Sequence, residues 1–321
     1  MYYLGIDIGS VSTDFVVLNK DLEVEDHLYL NTQGLPMKAV QEGLKLLKDK
    51  YLNEAINAVG TTGSGRKIIA TVVGADSVKN EITAHAVAAL HINPSVKTIL
   101  EIGGQDSKII ILKDGIVTDF AMNTVCAAGT GSFLDRQAQR LGIPINQLGD
   151  YALKANNVVR IAGRCAVFAE SDMIHKQQMG YDTPSIVKGL CDALVRNYLS
   201  NIAKGKDISA PIFFQGGVAA NKGIKNAFEE ALHTQVLVPE HYNVMGAIGA
   251  AILAKEALER SGGTTKFKGF DLEAAHLSTR GFECSDCSNQ CEVIVIEENG
   301  VIIGYYGDRC GKWLHSVKMP S

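Results

Sequence analysis

The sequence predicts an α/β protein with two related lobes, each built on a mixed sheet, followed by a small Cys-rich hairpin module. Apolar segments with the spacing of strands alternate with helical segments over most of the chain. One hairpin pattern occurs twice, as 4-LGIDIGSVSTDFVVL-18 and as 99-ILEIGGQDSKIIIL-112. Four of the seven cysteines follow residue 280. Because both hairpins share the order strand, acidic residue, glycine, strand, they suggest two lobes with a cleft between them.

Four segments follow one another along the chain. The first lobe is predicted at 1–95, the second at 96–242, a helix returning to the first lobe at 243–260, and the Cys-rich module at 270–321. Residues 260–269 have the composition of a linker. The predicted elements, in order, are a hairpin at 2–18, a helix near 36–50, a strand at 55–63, a helix at 80–92, three strands within 96–123, helices near 129–141, 166–178 and 184–205, a strand from 211, a helix at 244–259, and a hairpin between 291 and 310.

Composition and charge narrow the possible partners. Hydrophobic residues make up 46% of the 321 residues and charged residues 21%, which suits a globular core. The net charge of −4 gives no electrostatic reason to expect nucleic acid or an anionic membrane surface. The sequence opens directly on a strand, and its longest apolar run, 246–254, is too short to cross a bilayer. We therefore expect a cytoplasmic protein with neither nucleic-acid nor membrane partners.

Three Gly-rich turns each follow a predicted strand, at 7–10, 103–107 and 216–221. Small residues let backbone N–H groups come close to phosphate oxygens, so such turns suit a nucleotide. One turn of this kind is more often an ordinary tight turn, whereas three of them, two inside the repeated hairpin, favour phosphate binding. The residues expected to contact nucleotide are Gly9, Ser10, Val11, Ser12, Gly103, Gly104, Gln105, Gly216, Gly217 and Asn221.

Acidic side chains accompany two of these turns. Asp7 and Asp106 are candidate Mg²⁺ ligands through water, since magnesium prefers oxygen ligands and keeps part of its hydration. Gln105 or Asp106 could orient a water at the γ-phosphate, so Asp7, Gln105 and Asp106 are the candidate catalytic residues. The chain has no GxxxxGK[ST] pattern of a P-loop protein. The order of the three turns instead resembles the superfamily of sugar kinases, heat-shock chaperones and actin, which implies a two-lobed fold that binds ATP or ADP with Mg²⁺.

Two cysteines stand at or just before predicted helices, Cys126 in 126-CAAGTGSFLD-135 and Cys165 in 165-CAVFAESDMI-174. A helix N-terminus carries a partial positive charge, which stabilises a negatively charged sulfur or a bound anion. Three interpretations are open: a pair of buried apolar cysteines, a catalytic nucleophile, or ligands of a metal or iron–sulfur cluster. Two thiolates are too few for an all-cysteine cluster, but a two-fold homodimer would supply four.

Taken together, the motifs resemble the activators, or ATP-dependent reductases, of 2-hydroxyacyl-CoA dehydratases, a family that includes the ATPase subunits of benzoyl-CoA reductases. The resemblance runs from residue 1 to about 258. The matching stretches are 5-GIDIGSVSTD-14, 101-EIGGQDSKIIIL-112, 123-NTVCAAGTGSFLD-135, 165-CAVFAESDMI-174, 214-FQGGVAANKG-223 and 245-MGAIGAA-251.

This resemblance implies an electron carrier. It implies a homodimer with one [4Fe-4S] cluster held at the interface by Cys126 and Cys165 of both chains. A ferredoxin or flavodoxin would reduce the cluster, and ATP binding and hydrolysis would change the angle between the two cluster-bearing helices of each subunit. The electron would then pass to a separate iron–sulfur acceptor protein, either a 2-hydroxyacyl-CoA dehydratase or a double-cubane-cluster reductase.

The C-terminal module carries cysteines in the spacing C-x2-C-x3-C-x18-C, which the shortest members of that family lack. The four are Cys284, Cys287, Cys291 and Cys310. A hairpin closed by a fourth cysteine is typical of a tetrahedral structural Zn²⁺ site. A second [4Fe-4S] cluster and a set of free thiols are the alternatives.

Two other functions remain open from the sequence. A small-molecule kinase of the same fold would need an acceptor pocket with a catalytic Asp, and it would leave Cys126 and Cys165 unexplained. A nucleotide-switched binding protein would use the same nucleotide turns without productive electron transfer. Cys191 is expected to belong to the core, because it shares one apolar helical stripe with Ile186, Leu190 and Leu194.

Overall fold

The computed structural model describes residues 1–123 and 126–313. The described residues fold as two compact units, one of residues 1–84 together with 246–313, the other of residues within 85–245. The lobe boundaries predicted from the sequence lie near these positions and stay predictions. No helix in the described part of the chain is long and apolar enough to cross a membrane.

The first unit is built on a five-stranded sheet in the order β3-β2-β1-β4-β5. Strand β1 pairs antiparallel with β2 and parallel with β4, so the sheet is mixed. Helix α3 begins in this unit and continues into the second. The elements are β1 (Tyr2–Ile8), β2 (Ser12–Leu18), β3 (Val24–Asn31), α1 (Pro36–Lys48), β4 (Ile56–Gly63), α2 (Arg66–Val73), β5 (Ser77–Val78) and α3 (Glu81–Ile92).

The second unit repeats this layout with five strands in the order β8-β7-β6-β9-β10. Strand β6 pairs antiparallel with β7 and parallel with β9, as β1 does with β2 and β4. The predicted duplication of mixed-sheet lobes is therefore confirmed strand by strand. The elements are β6 (Thr98–Ile102), β7 (Ser107–Lys113), β8 (Ile116–Asn123), α4 (Gly131–Leu141), α5 (Leu148–Ala152), α6 (Ala166–Gln178), α7 (Thr183–Asn201), β9 (Ile212–Gln215), α8 (Lys222–Leu232) and β10 (Val236–Leu237).

Helix α9 (Met245–Ser261) packs directly on the first sheet because two strand residues there have no side chain. A Cβ atom on Gly5 of β1 would come within 1.8 Å of the Ala247 carbonyl oxygen. A Cβ atom on Gly60 of β4 would come within 2.0 Å of the Ala250 carbonyl oxygen. The predicted helix at 244–259 is thus confirmed, and its backbone lies against β1 and β4.

The C-terminal module is a three-stranded antiparallel sheet rather than the single predicted hairpin. Strand β11 (Leu277–Glu283) joins β12 (Glu292–Glu298) and β13 (Val301–Tyr306), with β12 in the middle. Strand β11 was not predicted because Arg280 and Gly281 interrupt its alternation of apolar and polar residues.

The segment predicted as a linker at 260–269 is in part anchored on the first unit. The Asp76 carboxylate accepts hydrogen bonds from the Thr265 hydroxyl at 2.7 Å and from the Lys266 N–H at 2.8 Å. Phe270, just beyond, is 1% exposed and packs edge-on against Phe267. Its Gly- and Thr-rich composition suggested flexibility, but these contacts tie the segment to the core. The module is therefore joined to the first unit by an ordered segment and not by a flexible linker.

Candidate functional site

The first Gly-rich turn joins β1 to β2 in the first unit. The Gly9 N–H donates to the Ser12 carbonyl oxygen at 2.8 Å, which closes the turn. Asp7 is half-buried at the end of β1, where it stands opposite Asp14 in the strand register. Gly63 of β4 has a φ of +85°, and a Cβ atom there would lie 2.4 Å from the Asp7 Oδ1 atom. The carboxylate of Asp7 is thus held between two strands at the mouth of the turn.

Asp14 is a candidate site residue that the sequence analysis did not identify. Its side chain is buried, its Oδ2 atom accepts from the Ser12 hydroxyl at 3.3 Å, and its Oδ1 atom has no hydrogen-bond partner among the described residues. Burial, and then the neighbouring Asp7, hold the pKa of Asp14 well above its usual range. Two adjacent carboxyl groups of this kind suit a cation. In the sequence, Asp14 is a single acidic residue inside an apolar strand, and this exception to the apolar pattern was the signal that could have identified it as a site residue.

The second turn joins β6 to β7 in the second unit. The Gly103 N–H donates to the Asp106 carbonyl oxygen at 3.0 Å, and a Cβ atom on Gly103 would lie 2.9 Å from the Asp106 Oδ1 atom. Gln105 is exposed at its tip and Asp106 is half-buried. The turn therefore presents the two side chains that the sequence predicted as catalytic.

A buried cation, Lys108, stands behind this turn and was not predicted. Its ammonium nitrogen lies 3.0 Å from the Asp106 Oδ2 atom and 2.9 Å from the Glu101 Oε2 atom. Burial raises the pKa of Glu101, although Lys108 and His85 oppose the shift. Lys108 thus fixes the orientation of Asp106, and it does so from a position that is only 2% exposed.

The third turn follows β9 and lies against the second turn. Gly216 has a φ of +82°, and its N–H donates to the Tyr242 carbonyl oxygen at 2.8 Å. A Cβ atom on Gly216 would lie 2.6 Å from the Glu101 Oε1 atom, so only glycine fits. Asn221 caps α8 by accepting from the Ile224 N–H at 3.1 Å, and its Nδ2 atom has no partner in the described part of the chain. The structure therefore brings two of the three predicted turns together.

Cys126 and the segment before Cys165 are neighbours. The Cys126 Sγ atom lies 3.9 Å from the Arg164 carbonyl oxygen, and both cysteines are half-buried. The Asn123 side chain holds Cys126 on both sides, since it accepts from the Cys126 N–H at 3.0 Å and donates to the Cys126 carbonyl at 2.8 Å. The two candidate ligands thus share one face of the second unit.

The two cysteines differ in their relation to the helix ends. Cys165 is the N-cap residue of α6, as predicted. Cys126 precedes a short 3-10 turn at 127–129, and α4 starts only at Gly131. The first N–H groups of α4, on Gly131 and Ser132, donate to the carbonyls of Gly103 and Gly104 in the second turn. These two donors of α4 are therefore bound by the second turn, and Cys126 is separated from α4 by the 3-10 turn.

Acidic residues on α6 make contacts within the second unit. Glu170 accepts from Arg136 at 3.2 Å and also pairs with Arg140, so it joins α6 to α4. The Asp172 Oδ2 atom accepts from the Ala162 N–H at 2.9 Å and so holds the loop that leads to Cys165. These carboxylates position the two cysteine loops.

The four cysteines of the C-terminal module gather at one end of its sheet without forming a completed site. The Cys284 N–H donates to the Cys291 carbonyl at 2.8 Å, and the Trp313 indole N–H donates to the Cys284 sulfur at 3.3 Å. Cys287 and Cys310 are exposed. Within residues 1–123 and 126–313, no three His, Cys, Asp or Glu side chains form a group that could hold a metal ion. The zinc site stays a prediction. Cys191, by contrast, is fully buried in the core, as expected.

Comparison with known proteins agrees with these features. The chain is 33% identical over 258 residues to the (R)-2-hydroxyglutaryl-CoA dehydratase activating ATPase of Acidaminococcus fermentans, covering 79% of this chain and 97% of that protein. It is 34% identical over 264 residues to the activator of lactoyl-CoA dehydratase of Anaerotignum propionicum, covering 81% of this chain and all of that protein.

Solved structures agree as well. The activator of the 2-hydroxyisocaproyl-CoA dehydratase from Clostridium difficile with bound ADPNP has a TM-score of 0.74 and 33% identity, covering 82% of this chain and 97% of that one. A ROK family glucokinase from Streptomyces griseus, at a TM-score of 0.51 and 13% identity, shares the fold alone. Residues 4–254 match the BadF/BadG/BcrA/BcrD ATPase family, so β11–β13 lie beyond the matched region. The chain therefore belongs to the BadF/BadG/BcrA/BcrD ATPase family.

Proposed function

We propose that the protein is an ATP-dependent one-electron activator. It acts as a homodimer that holds one [4Fe-4S] cluster through Cys126 and Cys165 of both chains. The observation that carries the proposal is the position of Cys126 beside the Cys165 loop, with its Sγ atom 3.9 Å from the Arg164 carbonyl, in a chain of this ATPase family. Two half-buried thiols on one face suit a cluster that a second copy completes.

The residues of the turns fit a Mg–nucleotide complex. Asp7 at the first turn and Asp106, which Lys108 holds at the second turn, each offer carboxylate oxygens of the kind that suit a magnesium ion retaining several waters. Gly9, Gly103 and Gly216 keep the backbone open to phosphate oxygens, and the free Asn221 Nδ2 atom, which has no partner in the described residues, is a donor for adenosine. Gln105 is exposed at the turn and orients the attacking water. Hydrolysis then yields ADP and phosphate.

The cysteines fit a redox group that carries one electron. Cys126 and Cys165 would hold the cluster, which would supply the transfer of a single electron from a reduced ferredoxin or flavodoxin to an iron–sulfur acceptor protein. The chain contributes the thiolates, and α6 contributes a helix N-terminus at Cys165 that offsets negative charge. Relatives named as activators of dehydratases, and a benzoyl-CoA reductase subunit at 27% identity, support an acceptor enzyme that acts on acyl-CoA thioesters.

Anaerobic purification tests the cluster. The wild-type dimer is expected to hold about four iron and four sulfide per dimer in the matched region, as one four-cysteine cluster requires. Cys126→Ala and Cys165→Ala should each lose this iron, while Cys191→Ala, which removes a core thiol, should keep it. An iron-free wild-type dimer with full ATPase activity after anaerobic reconstitution would contradict the proposal. Phosphate transfer to a sugar or acid would indicate the kinase alternative.

For the C-terminal module we propose a structural metal site. We favour Zn²⁺ as its occupant over a second [4Fe-4S] cluster. Its support is topological, since β12 is antiparallel to both neighbours. Cys284 directly follows β11, Cys291 directly precedes β12, and Cys310 follows β13, so all three lie at the same end of the sheet. The Trp313 N–H on the Cys284 sulfur is a contact typical of a metal-bound thiolate.

Metal analysis of the full-length chain tests this second site. Truncation before the module would remove Phe270 and Leu272, which are 1% and 5% exposed in the core of the first unit. Cys287→Ser in the intact chain is therefore the cleaner change, with Cys191→Ser as its control. About one zinc per chain in the wild type, lost only in Cys287→Ser, is expected. Iron in place of zinc would assign a cluster, and no metal would leave free thiols.

A further inference from the structure

The start of α4 is fastened to the second Gly-rich turn by three hydrogen bonds. The Gly131 N–H donates to the Gly103 carbonyl at 2.9 Å, and the Ser132 N–H donates to the Gly104 carbonyl at 2.8 Å. The Ser132 hydroxyl also donates to the Gly104 carbonyl, at 2.6 Å. A Cβ atom on Gly131 would lie only 3.1 Å from the Gly103 oxygen, which shows how closely the two backbones approach. Turn and helix therefore move as one piece.

This fastening continues to Cys126 without a loose segment. The Thr130 hydroxyl and N–H both donate to the Ala127 carbonyl, at 2.8 and 3.1 Å. Asn123 holds the backbone of Cys126 through the two bonds described above. Residues 126–132 therefore form one hydrogen-bonded path from Gly104 to Cys126, which Asn123 of β8 also holds.

Cys165 is anchored differently. The loop before it is held by α7, where the Asn197 amide donates to the Gly163 carbonyl and the Arg196 guanidinium to the Ile161 carbonyl, both at 2.5 Å. The next α7 residue, Tyr198, is fully buried in the core, and its hydroxyl donates to the Lys108 carbonyl on β7. The Cys165 loop is thus fastened to α7 and, through Tyr198, to β7, and none of these three bonds involves Gly103 or Gly104.

Contacts between α4 and α6 also bear on how the segments at Cys126 and Cys165 are held. They include the ion pairs of Glu170, which is 16% exposed, with Arg136 and Arg140, which are 68% and 43% exposed. These pairs join the two helices through flexible arginine side chains that solvent screens, whereas backbone hydrogen bonds join the turn to α4. The hydrogen bonds from the second turn therefore lead to Cys126 more directly than to Cys165.

We propose that Ser132 is the positioning residue that couples nucleotide at the second turn to the Cys126 thiol. This inference rests on the proposed function, in which nucleotide binds at that turn. The Ser132 hydroxyl touches neither nucleotide nor cluster, and it acts by keeping Gly104 and α4 together when the turn adjusts to the γ-phosphate. Its removal leaves only the two backbone hydrogen bonds between turn and helix and so weakens the response of the cysteine to nucleotide.

The test is the rate at which iodoacetamide alkylates Cys126 in the full-length, cluster-free chain, measured by mass spectrometry. Rates are compared without nucleotide and with a saturating non-hydrolysable ATP analogue and Mg²⁺, with saturation established separately for each variant. In the wild type, nucleotide changes the rate at Cys126 more than the rate at Cys165. Ser132→Ala is expected to reduce this nucleotide effect about fivefold. That factor corresponds to the net contribution of one hydrogen bond.

Two further variants make the result specific. Ser132→Thr keeps the hydroxyl and should restore the effect. Ser171→Ala removes a comparable hydroxyl on α6, which donates to the Val167 carbonyl of its own helix at 3.1 Å, and should leave the effect at the wild-type value. After reconstitution, the nucleotide-dependent change in the electron paramagnetic resonance spectrum of the reduced protein should follow the same order of variants.

Equal nucleotide effects in wild type and Ser132→Ala would overturn the inference, as would the absence of any effect at Cys126 in the wild type. A loss of equal size in Ser171→Ala would also overturn it, because the effect would then be general loosening. The iron and sulfide assay decides the proposed function separately. If the protein binds its cluster but Ser132→Ala leaves the nucleotide effect at Cys126 unchanged, only this inference is overturned and the proposed function stands.

Discussion

The ammonium group of Lys108 lies 2.9 Å from the Glu101 carboxylate, and both side chains are almost fully buried, at 3% and 5% exposure. The two residues stand opposite each other on β7 and β6, directly behind the second Gly-rich turn. The same ammonium reaches Asp106 at 3.0 Å. A single buried cation thus supports a carboxylate at the turn and neutralises one in the core.

Removal of this cation should destabilise the fold. Lys108→Met leaves Glu101 buried and unpaired, which is expected to cost about 3 kcal/mol in the free energy of unfolding measured with urea. The control is Lys222→Met, which breaks the exposed pair with Asp150 at 3.2 Å and should cost less than about 1 kcal/mol. Equal losses of unfolding free energy in the two variants would show that the buried pair stabilises the fold no more than the exposed pair does.

The proposed role of Asp106 as a Mg²⁺ ligand at the second turn can be tested by removing its charge. Asp106→Asn keeps the shape of the side chain, and it should lower the ATPase kcat about 10- to 100-fold, as for other residues that bind metal through water. The loss should be partly recovered at higher Mg²⁺ concentration in steady-state assays. Asp114→Asn, in the exposed turn between β7 and β8, should leave kcat unchanged. An active Asp106→Asn enzyme would remove Asp106 from the site.

The third turn tolerates no side chain at Gly216. Gly216→Ala combines the strain of a positive φ with a Cβ atom 2.4 Å from the Ile102 carbonyl oxygen. Gly180→Ala is the matched control, because it has a similar φ of +81° and nothing within 4 Å of its Cβ position. Thermal unfolding should show that Gly216→Ala costs about 1–3 kcal/mol more than Gly180→Ala, the range for overpacking. Similar melting temperatures of Gly216→Ala and Gly180→Ala would contradict the close approach of Gly216 to the Ile102 carbonyl.

Cys191 should make stability depend on pH in the alkaline range. Burial raises the pKa of its thiol from 9.0 to about 12, so the folded chain keeps a proton that the unfolded chain loses. Stability from this group is complete below pH 9 and is lost as the pH rises towards 12, at about 1.4 kcal/mol per pH unit. Urea unfolding of wild type and Cys191→Ala at pH 8 and pH 10 measures the difference. Parallel losses in both proteins would assign the pH dependence to other groups.

The attachment of the C-terminal module depends on Gln41 of α1. Its side-chain amide donates to the carbonyls of Leu272, Glu273 and Ala275, at 3.2, 3.3 and 2.7 Å. Gln41→Ala should therefore cost about 1–2 kcal/mol and speed proteolysis within β11–β13. Lys48→Ala, which removes ion pairs from the same helix to Asp271 and Glu273, should cost less than about 1 kcal/mol. Equal protease resistance in wild type and Gln41→Ala would show that the apolar contacts suffice.

Several features of the fold could be read from local patterns. The repeated hairpin predicted the duplicated sheets, and α6 and α9 begin and end within two residues of their predicted limits. The helices α2, α5 and α8 and the strands β3, β5, β10 and β11 were not predicted. For α5, β5 and β10 the reason is length, since two to five residues carry too little periodic signal. The linker at 260–269 was misjudged because Asp76, far away in sequence, supplies its hydrogen bonds.

By itself, the sequence determined which chemical groups this protein has: the acidic Gly-rich turns, the cysteines at 126 and 165, and the four cysteines of the module. It did so because glycine, carboxylate and thiol are recognisable from residue type and spacing. Only the tertiary structure decided how these groups are supported. Asp14 beside Asp7, Lys108 behind Asp106, and Ser132 on Gly104 are contacts between separate strands, helices and turns. They depend on strand register and helix packing, which local sequence does not specify.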